Sequence, residues 1–420
     1  MKKPVEIAII GAGQRGTDNF GRYVLGHSKD AKVVAVAELR KDRRDFFAKQ
    51  HNLAPEMAFE SWEAFVKKPK MCAAVINSTV DQAHEKSSIA LLEKGYDILL
   101  EKPISTSPQK CVNVIKTARK NNKLVMICHV LRYTPFFQKV KEIVDSGILG
   151  KILTYEHKEN LSYSHMAHSF VRGNWRRKDE ESPMILQKCC HDMDIIYWLL
   201  GRKCVRLFSS GHLSFFKEEN APRGSAKRCI SGCKVEKECP WSAIKLYVNA
   251  KTKKWPVNVI TMDVSMKGRV EAVKKGPYGR CVFHCDNTVV DHQQSCMEFE
   301  GGITVNFTMN FNHEETRTIK VSGSRASLQG HMGKNEIIIN HYLNDRKEII
   351  KVPTVVGGHS GGDPRLIKDF IEALQKKNTS KILTSAETSL ESHLMAFAHE
   401  ESRLRKKLIK MADYRKRFGI

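Results

Sequence analysis

The apolar run from Val5 to Ile10 leads directly into Gly11-Ala12-Gly13-Gln14-Arg15-Gly16, and this junction constrains the fold more than any other stretch of the chain. A strand that enters G-x-G-x-x-G and leaves as a helix is the first turn of a dinucleotide-binding βαβ unit. Gly11 permits the tight turn, Gly13 lets backbone approach a pyrophosphate, and Gly16 lets helix and strand pack closely. The helix start offers free N–H groups and partial positive charge to the phosphates, so Gln14 and Arg15 join the cofactor set. The next apolar stretch, Lys32 to Ala37, ends in Glu38, 27 residues after Gly11. An acid there accepts hydrogen bonds from an adenosine ribose and repels a 2′-phosphate, which favours NAD. Arg40, Lys41, Arg43 and Arg44 follow and could hold a 2′-phosphate instead, so NADP stays open.

The pattern continues as alternating strands and helices. Cys72 to Asn77, Asp97 to Leu100 and Lys123 to Val130 read as strands; Gln82 to Lys94 and Pro108 to Lys120 read as helices. This alternation predicts a parallel, doubly wound sheet with ligands at the carboxyl ends of its strands. Three such ends carry polar groups: Ser78 and Thr79 with His84 beyond, Glu101-Lys102-Pro103, and His129 with Arg132 and Tyr133. Lys102, placed between a buried strand and a proline, sits on a rigid backbone, as a lysine tuned for proton transfer requires.

The length of 420 residues suggests two domains, possibly three, at roughly 100–200 residues each. With 41% hydrophobic and 28% charged residues the chain can bury a sizeable core, and disorder is excluded as the dominant state. No run approaches a membrane span. The short apolar stretch behind Met1-Lys2-Lys3 contains Glu6 and enters the glycine motif, so it reads as mature protein in the cytoplasm. The net charge of +24 invites a nucleic-acid partner, but no aromatic-studded basic motif accompanies it. Solvated helical faces and steering of anionic small molecules account for it better.

The glycine loop, Glu38, Glu101-Lys102-Pro103 and the later Cys190-His191-Asp192-Met193-Asp194 together resemble the Gfo/Idh/MocA oxidoreductases. The resemblance spans nearly the whole chain, including Gly357-Gly358-His359-Ser360-Gly361-Gly362-Asp363. It implies an α/β fold: a Rossmann domain over 1–130, then an α+β domain over 131–420 with a large, mostly antiparallel sheet and C-terminal helices. It implies hydride transfer between a nicotinamide and a sugar, glycoside or cyclitol hydroxyl, with Lys102 near the reacting hydroxyl. A histidine from the second domain maps onto His191. Many members carry an aspartate four residues before that histidine, where this chain has Gln187. Gln187 can still hydrogen-bond a sugar hydroxyl on a shared helix face, but it supplies no carboxylate. His191 is the leading general base, its ordinary pKa of about 6.5 suiting neutral pH, with Lys102 polarising the alkoxide. Ser78, Thr79, His84 and Glu101 are assigned to the cofactor; Tyr133, Trp175, Gln187, Asp194 and His165 to the substrate pocket. Homo-oligomers are common in the family.

In the second half, Met184 to Leu200 reads as one helix, and Cys204 to Gly211, Val257 to Val264, Met297 to Phe299, Ile303 to Met309, Arg317 to Gly323 and Glu336 to Asn340 as strands. Asp363 to Gln375 and Ser389 to Leu408 read as helices. An insertion at 222–248 carries Cys229-x3-Cys233-x5-Cys239, three thiols in a polar segment. With a fourth ligand from Cys189, Cys190 or Cys204 they could bind zinc or an iron–sulfur cluster; otherwise they are packed or free thiols. Cys285-Asp286-Asn287 and Asp291-His292 lean toward the substrate cleft. Beside the dehydrogenase reading stand two others: redox-assisted glycoside cleavage without net NAD consumption, and a cofactor-sensing regulator without catalysis.

Overall fold

The structure is a computed structural model describing residues 3–355, 357–380 and 382–420. Six strands form the first sheet: β1 (Val5–Ile10), β2 (Ala31–Ala37), β3 (Ala58–Phe59), β4 (Ala74–Asn77), β5 (Asp97–Leu100) and β6 (Val125–Ile127). They run parallel in the order β3-β2-β1-β4-β5-β6, the Rossmann order, with the crevice beside β1 and β4. Both faces are covered, which is why these strands read as unbroken apolar runs. Ile7, Ile9, Ala74, Ile76 and Leu99 point to one side, against Phe20, Phe47 and the late helix residues Leu366, Ile367 and Phe370. Ala8, Ile10, Val75, Ile98 and Leu100 point to the other, into a core continuous with the second sheet. The helix Gly362–Lys376 therefore belongs in space to the first sheet, although it lies far along the sequence.

The second sheet has nine strands: β7 (Ile152–Ser162), β8 (Cys204–His212), β9 (His292–Phe299), β10 (Ile303–Asn312), β11 (Thr316–Gly323), β12 (Ala326–His331), β13 (Glu336–His341), β14 (Lys347–Lys351) and β15 (Ile409–Lys410). Their order is β14-β13-β12-β11-β7-β10-β9-β8-β15. The β7–β10 pair is parallel and the other pairs are antiparallel. The helices Cys190–Leu200 and Ala386–Arg405 pack together on this sheet, and they carry the site toward the first one.

Three sequence expectations change. Val257 to Val264 is not a strand; Val257–Ile260 is a helical turn followed by irregular chain. Its β-branched residues fit a strand, but among the described residues no strand of either sheet pairs with them. Met184 to Leu200 is two helices, Met184–Gln187 and Cys190–Leu200, separated at Lys188 and Cys189. The strand β7 goes unseen because its inward residues include His157 and Glu159, so the alternation is not one of hydrophobicity.

Those two inward polar groups are bound in a buried ionic network. Arg317 bonds Glu159 and reaches Asp192 Oδ1 with Nε at 2.7 Å; His157 Nε2 lies 2.9 Å from the same oxygen, and Tyr155 bonds His157. Burial works to raise the Asp192 carboxyl, yet Arg317 and His157 outweigh it and hold it below the usual carboxylate range. The network joins β7 and β11 to the residue after His191, fixing that helix on the sheet. Removing the cation strands two buried acids, so Arg317→Met should cost about 3–5 kcal/mol in chemical denaturation. A loss below about 1 kcal/mol, the scale of a surface pair, would show that the network does not hold the helix.

Candidate active site

The glycine loop closes on the protein's own backbone at two of its three glycines. Gly11 has φ +87°, and a Cβ there would stand 2.4 Å from the Ser78 carbonyl oxygen. A Cβ on Gly16 would stand 2.0 Å from the Gly11 oxygen. Gly13 differs: its added Cβ would meet only the Arg43 side chain, at 3.7 Å. The space over Gly13 is thus open, as a cradle for a pyrophosphate requires. Glu38 turns back to this loop and accepts from Ala12 N at 2.8 Å and Arg40 N at 3.0 Å. Its carboxylate stands where a ribose diol between strand and loop can be held.

Other residues assigned to the cofactor brace the cradle. Ser78 Oγ donates to the Gly11 carbonyl at 2.7 Å, and Thr79 Oγ1 donates to Asn77 Oδ1 at 2.9 Å. Gln14 donates to Asn19 at 3.1 Å. His84 is fully buried, with Nδ1 2.7 Å from the Pro103 carbonyl and Nε2 3.1 Å from the Thr79 carbonyl, so it positions the turn after Lys102. Arg40 pairs with Asp42 at 2.6 Å, while Arg43 approaches Gly13. Arg15 reaches Glu101 at 2.5 Å and Asp363 at 2.8 Å, so both acids face the loop through one guanidinium. Asn19 and His359 complete the ring around Asp363, at 2.8 and 2.9 Å. Burial acts to raise the Asp363 carboxyl, but Arg15 and His359 hold it well below the usual range.

Lys102 and His191 are brought together. Lys102 Nζ bonds the backbone carbonyl of Gln187, and its charge, after burial, is the largest influence holding His191 well below the ordinary imidazole value. The neutral form of His191 is therefore present at neutral pH. The helix break at Lys188 means that Gln187 and His191 do not share one continuous helix face; Gln187 contributes its carbonyl to Lys102 instead. Around His191 stand His129 and His359, with ring centroids at 5.8 and 5.9 Å, and His393 lies 5.3 Å from His129. Ile104 N donates to His393 Nε2 at 3.0 Å, so Nδ1 carries the proton toward the Ser389 carbonyl. Among the described residues, His191 Nδ1 and both nitrogens of His129 are buried with no hydrogen-bond partner. A buried polar atom without a partner is costly, so this corner is built to receive polar groups.

Tyr133 does not face that corner, whereas Asp194 reaches its edge, with Oδ1 3.8 Å from His129 Nε2. Tyr133 is buried in the core beside the helix Gly362–Lys376, and its hydroxyl accepts from Leu383 N at 3.4 Å. Asp194 is gripped by Arg132, at 2.7 Å from Nε and 2.6 Å from Nη2, which ties the end of β6 to the His191 helix. Trp175 is half-buried against Phe170, and His165 pairs with Glu315 at 2.8 Å; among the described residues no hydrogen bond or ring contact joins either to Lys102 or His191. Asp286 is held by Arg176 and Arg280, and Asp291 accepts from Phe215 N at 2.7 Å, so both fasten loops rather than line a cleft. Sequence reasoning missed Asn19 and the buried Asp192–Arg317 pair, because neither lies in a motif that signals its partner.

This chain belongs to the Gfo/Idh/MocA oxidoreductase family. The family's NAD-binding Rossmann fold matches residues 5–129, and its C-terminal alpha/beta domain matches residues 141–411. The Bacillus subtilis protein YteT is 21% identical over 348 residues, 79% of either chain. Inositol 2-dehydrogenase 2 of Saccharopolyspora erythraea is 27% identical over 203 residues, 48% of this chain and 55% of that one. The chain thus spans only about half the length of such dehydrogenase relatives. Among solved structures, an inositol dehydrogenase homolog from Azotobacter vinelandii complexed with NAD+ superposes with a TM-score of 0.71 at 16% identity, covering 98% of both chains. The chain is thus a member of an oxidoreductase family, with an NAD-binding Rossmann domain and a mostly antiparallel second sheet. No helix among the described residues is long and apolar enough to cross a membrane.

The glycines separate fold from ligand binding. Gly13→Ala should melt within a few degrees of the parent protein while weakening NAD binding more than about tenfold, since its Cβ occupies ligand space only. Gly16→Ala should lose folded stability. Equal cofactor affinity in Gly13→Ala, measured by calorimetry, would move the pyrophosphate elsewhere.

Proposed function

We propose that this protein oxidises a secondary hydroxyl of a sugar, glycoside or cyclitol, with NAD as the hydride acceptor. The observation that carries this reading is the convergence of Lys102 and a neutral His191 beside buried, unpartnered imidazole nitrogens. The nicotinamide, when bound, would supply the acceptor for the hydride of the carbinol carbon. His191, held neutral by burial and by Lys102, accepts the hydroxyl proton. Lys102 exchanges its bond to the Gln187 carbonyl for one to the substrate oxygen, favouring the alkoxide as it forms. The Glu38 carboxylate, held by Ala12 N and Arg40 N, favours an unphosphorylated ribose, and the Arg40 side chain is already engaged by Asp42. The names of the relatives support the substrate class, since several are inositol 2-dehydrogenases.

A second reading has one specific support: a relative from Mediterraneibacter gnavus, 25% identical over 199 residues and covering 50% of that protein, is named 2,7-anhydro-N-acetylneuraminate hydratase. Such a reaction leaves no net redox change. Here it would take the form of transient oxidation that acidifies a neighbouring C–H and expels a glycosidic group. A panel of cyclitols, free sugars and glycosides, followed by cofactor absorbance and product analysis together, separates the readings. One NADH per product supports dehydrogenation. Product without NADH, carrying solvent hydrogen, supports the second. Tight cofactor binding without any turnover would leave only a cofactor sensor.

Lys102→Met should lower kcat by at least about a hundredfold and change NAD affinity less than about threefold. An unchanged rate removes Lys102 from the chemistry. The depressed His191 also fixes a pH profile. A base whose pKa lies below the ordinary value stays unprotonated as the pH falls, so kcat/KM should hold through pH about 6.5 and fail only in more acid solution. An acid limb centred near pH 6.5 would mean that His191 titrates as an ordinary imidazole.

A further inference from the structure

Between β8 and β9 the chain leaves the sheet for residues 213–291, and most of this stretch is turns and short helices. Its own buried apolar cluster is small: Cys229, Ala243, Tyr247, Val248 and Val273. Phe216, Val282 and Phe283 pack on the main core, so it is the side of the stretch around Cys229 that has little core of its own, where a covalent or metal staple adds most. The cysteines expected to complete the set lie elsewhere, Cys189 and Cys190 at the start of the His191 helix and Cys204 at the start of β8, and none of them lines the cavity of the three thiols. A different thiol joins instead. Cys229, Cys233, Cys239 and Cys281 all line one cavity, together with Arg172. A short antiparallel pairing makes that possible: Cys229 N donates to the Gly279 carbonyl at 3.1 Å, Cys281 N donates to the Lys227 carbonyl at 2.9 Å, and Arg228 bridges Arg280 between them.

Arg172 supplies the independent sign of a missing anion. It is fully buried, donates to the carbonyls of Arg280 and Trp241 at 2.7 Å each, and leaves Nη1 with no partner. No carboxylate pairs with it among the described residues; its guanidinium faces the Tyr247 hydroxyl and Cys229 Sγ, the latter 3.7 Å from Nη2. A buried guanidinium without a counter-charge is strongly disfavoured. Cys229 Sγ also accepts from Ala243 N at 3.3 Å, the N–H···S environment that suits a thiolate. All described cysteines are free of disulfides.

We propose that Cys229, Cys233, Cys239 and Cys281 are the four ligands of a thiolate-held metal centre, with Arg172 as its buried counter-cation. On binding, each thiol gives its proton to solvent, and a divalent ion with four thiolates carries two net negative charges beside the guanidinium. Cys233 and Cys239 are partly exposed and give the metal its way in. Among the described residues no three ligating groups already converge on a single ion. Either the thiols swing inward onto zinc, whose Zn–S bonds are about 2.3 Å, or the wider ring encloses an iron–sulfur cluster. The centre fastens an insertion that touches the cofactor domain, where Asn258 donates to Asp18 at 2.7 Å. This site stands independently of the dehydrogenase reading.

The test is elemental analysis of the full-length protein purified without oxygen and without a metal-affinity step. The wild type and Cys296→Ser, changed at an exposed thiol on β9, should each carry either about one zinc or about four irons with labile sulfide and visible absorption. Cys229→Ser and Cys239→Ser should carry less than about a tenth of that. Should those variants fail to fold, stripping the wild type with a chelator should expose about four further reactive thiols, and adding back the same metal should protect them. Metal-free wild type that takes up neither zinc nor iron and sulfide in stoichiometric amount overturns the proposal. So does a metal content that survives loss of Cys229.

Discussion

One guanidinium holds the site together. Arg15, at the start of the helix after the glycine loop, bonds both Glu101 from the end of β5 and Asp363 from the first turn of the late helix. Three parts of the chain, with Glu101 86 and Asp363 348 residues beyond Arg15, thus meet at a single side chain. Each acid gains a charge-assisted hydrogen bond, and neither side of the crevice can shift without breaking one. Lys102 follows Glu101 directly, and its backbone N–H also bonds the Glu101 carboxylate at 3.1 Å. The geometry of the candidate catalytic lysine is therefore inherited from the cofactor loop. Gly362 takes part by absence of a side chain, since a Cβ there would stand 2.4 Å from the Val130 carbonyl.

The electrostatics around His191 follow from burial more than from any one charge. Desolvation lowers His129, His191 and His393, the last to about 3, and Lys102 adds to each. A corner with several neutral imidazoles and one lysine can take up a proton without first losing one to solvent. Asp192 and Asp194, either side of Met193, serve a different purpose. They are consumed by Arg317 and Arg132, and they bolt the His191 helix to the second sheet and to β6. The acid missing at Gln187 is not replaced by either.

The first sheet was legible because each of its main strands is buried on both faces, which writes a plain apolar run into the sequence. The glycine loop, Glu38, Lys102 and His191 were legible because they fall in short motifs at strand or helix ends. Other features resisted for physical reasons. β3 and β15 are two residues long, and β7 turns charged groups inward, so no periodicity announces them. Tyr133 reads as a ligand contact because a polar residue near a motif reads alike whether it meets substrate or the Leu383 backbone. The fourth thiol, Cys281, stands 42 residues beyond Cys239, and only the backbone pairing of Arg228 with Arg280 brings it close.

Lys102 and His191 acting on one hydroxyl is the claim on which the functional account turns. A crystal structure with NAD and the best substrate of the panel tests it most directly. The account predicts one substrate oxygen within about 3 Å of both Lys102 Nζ and an imidazole nitrogen of His191, its carbon facing the nicotinamide. A substrate whose reacting hydroxyl touches neither group, with Lys102 still bound to the Gln187 carbonyl, would contradict it.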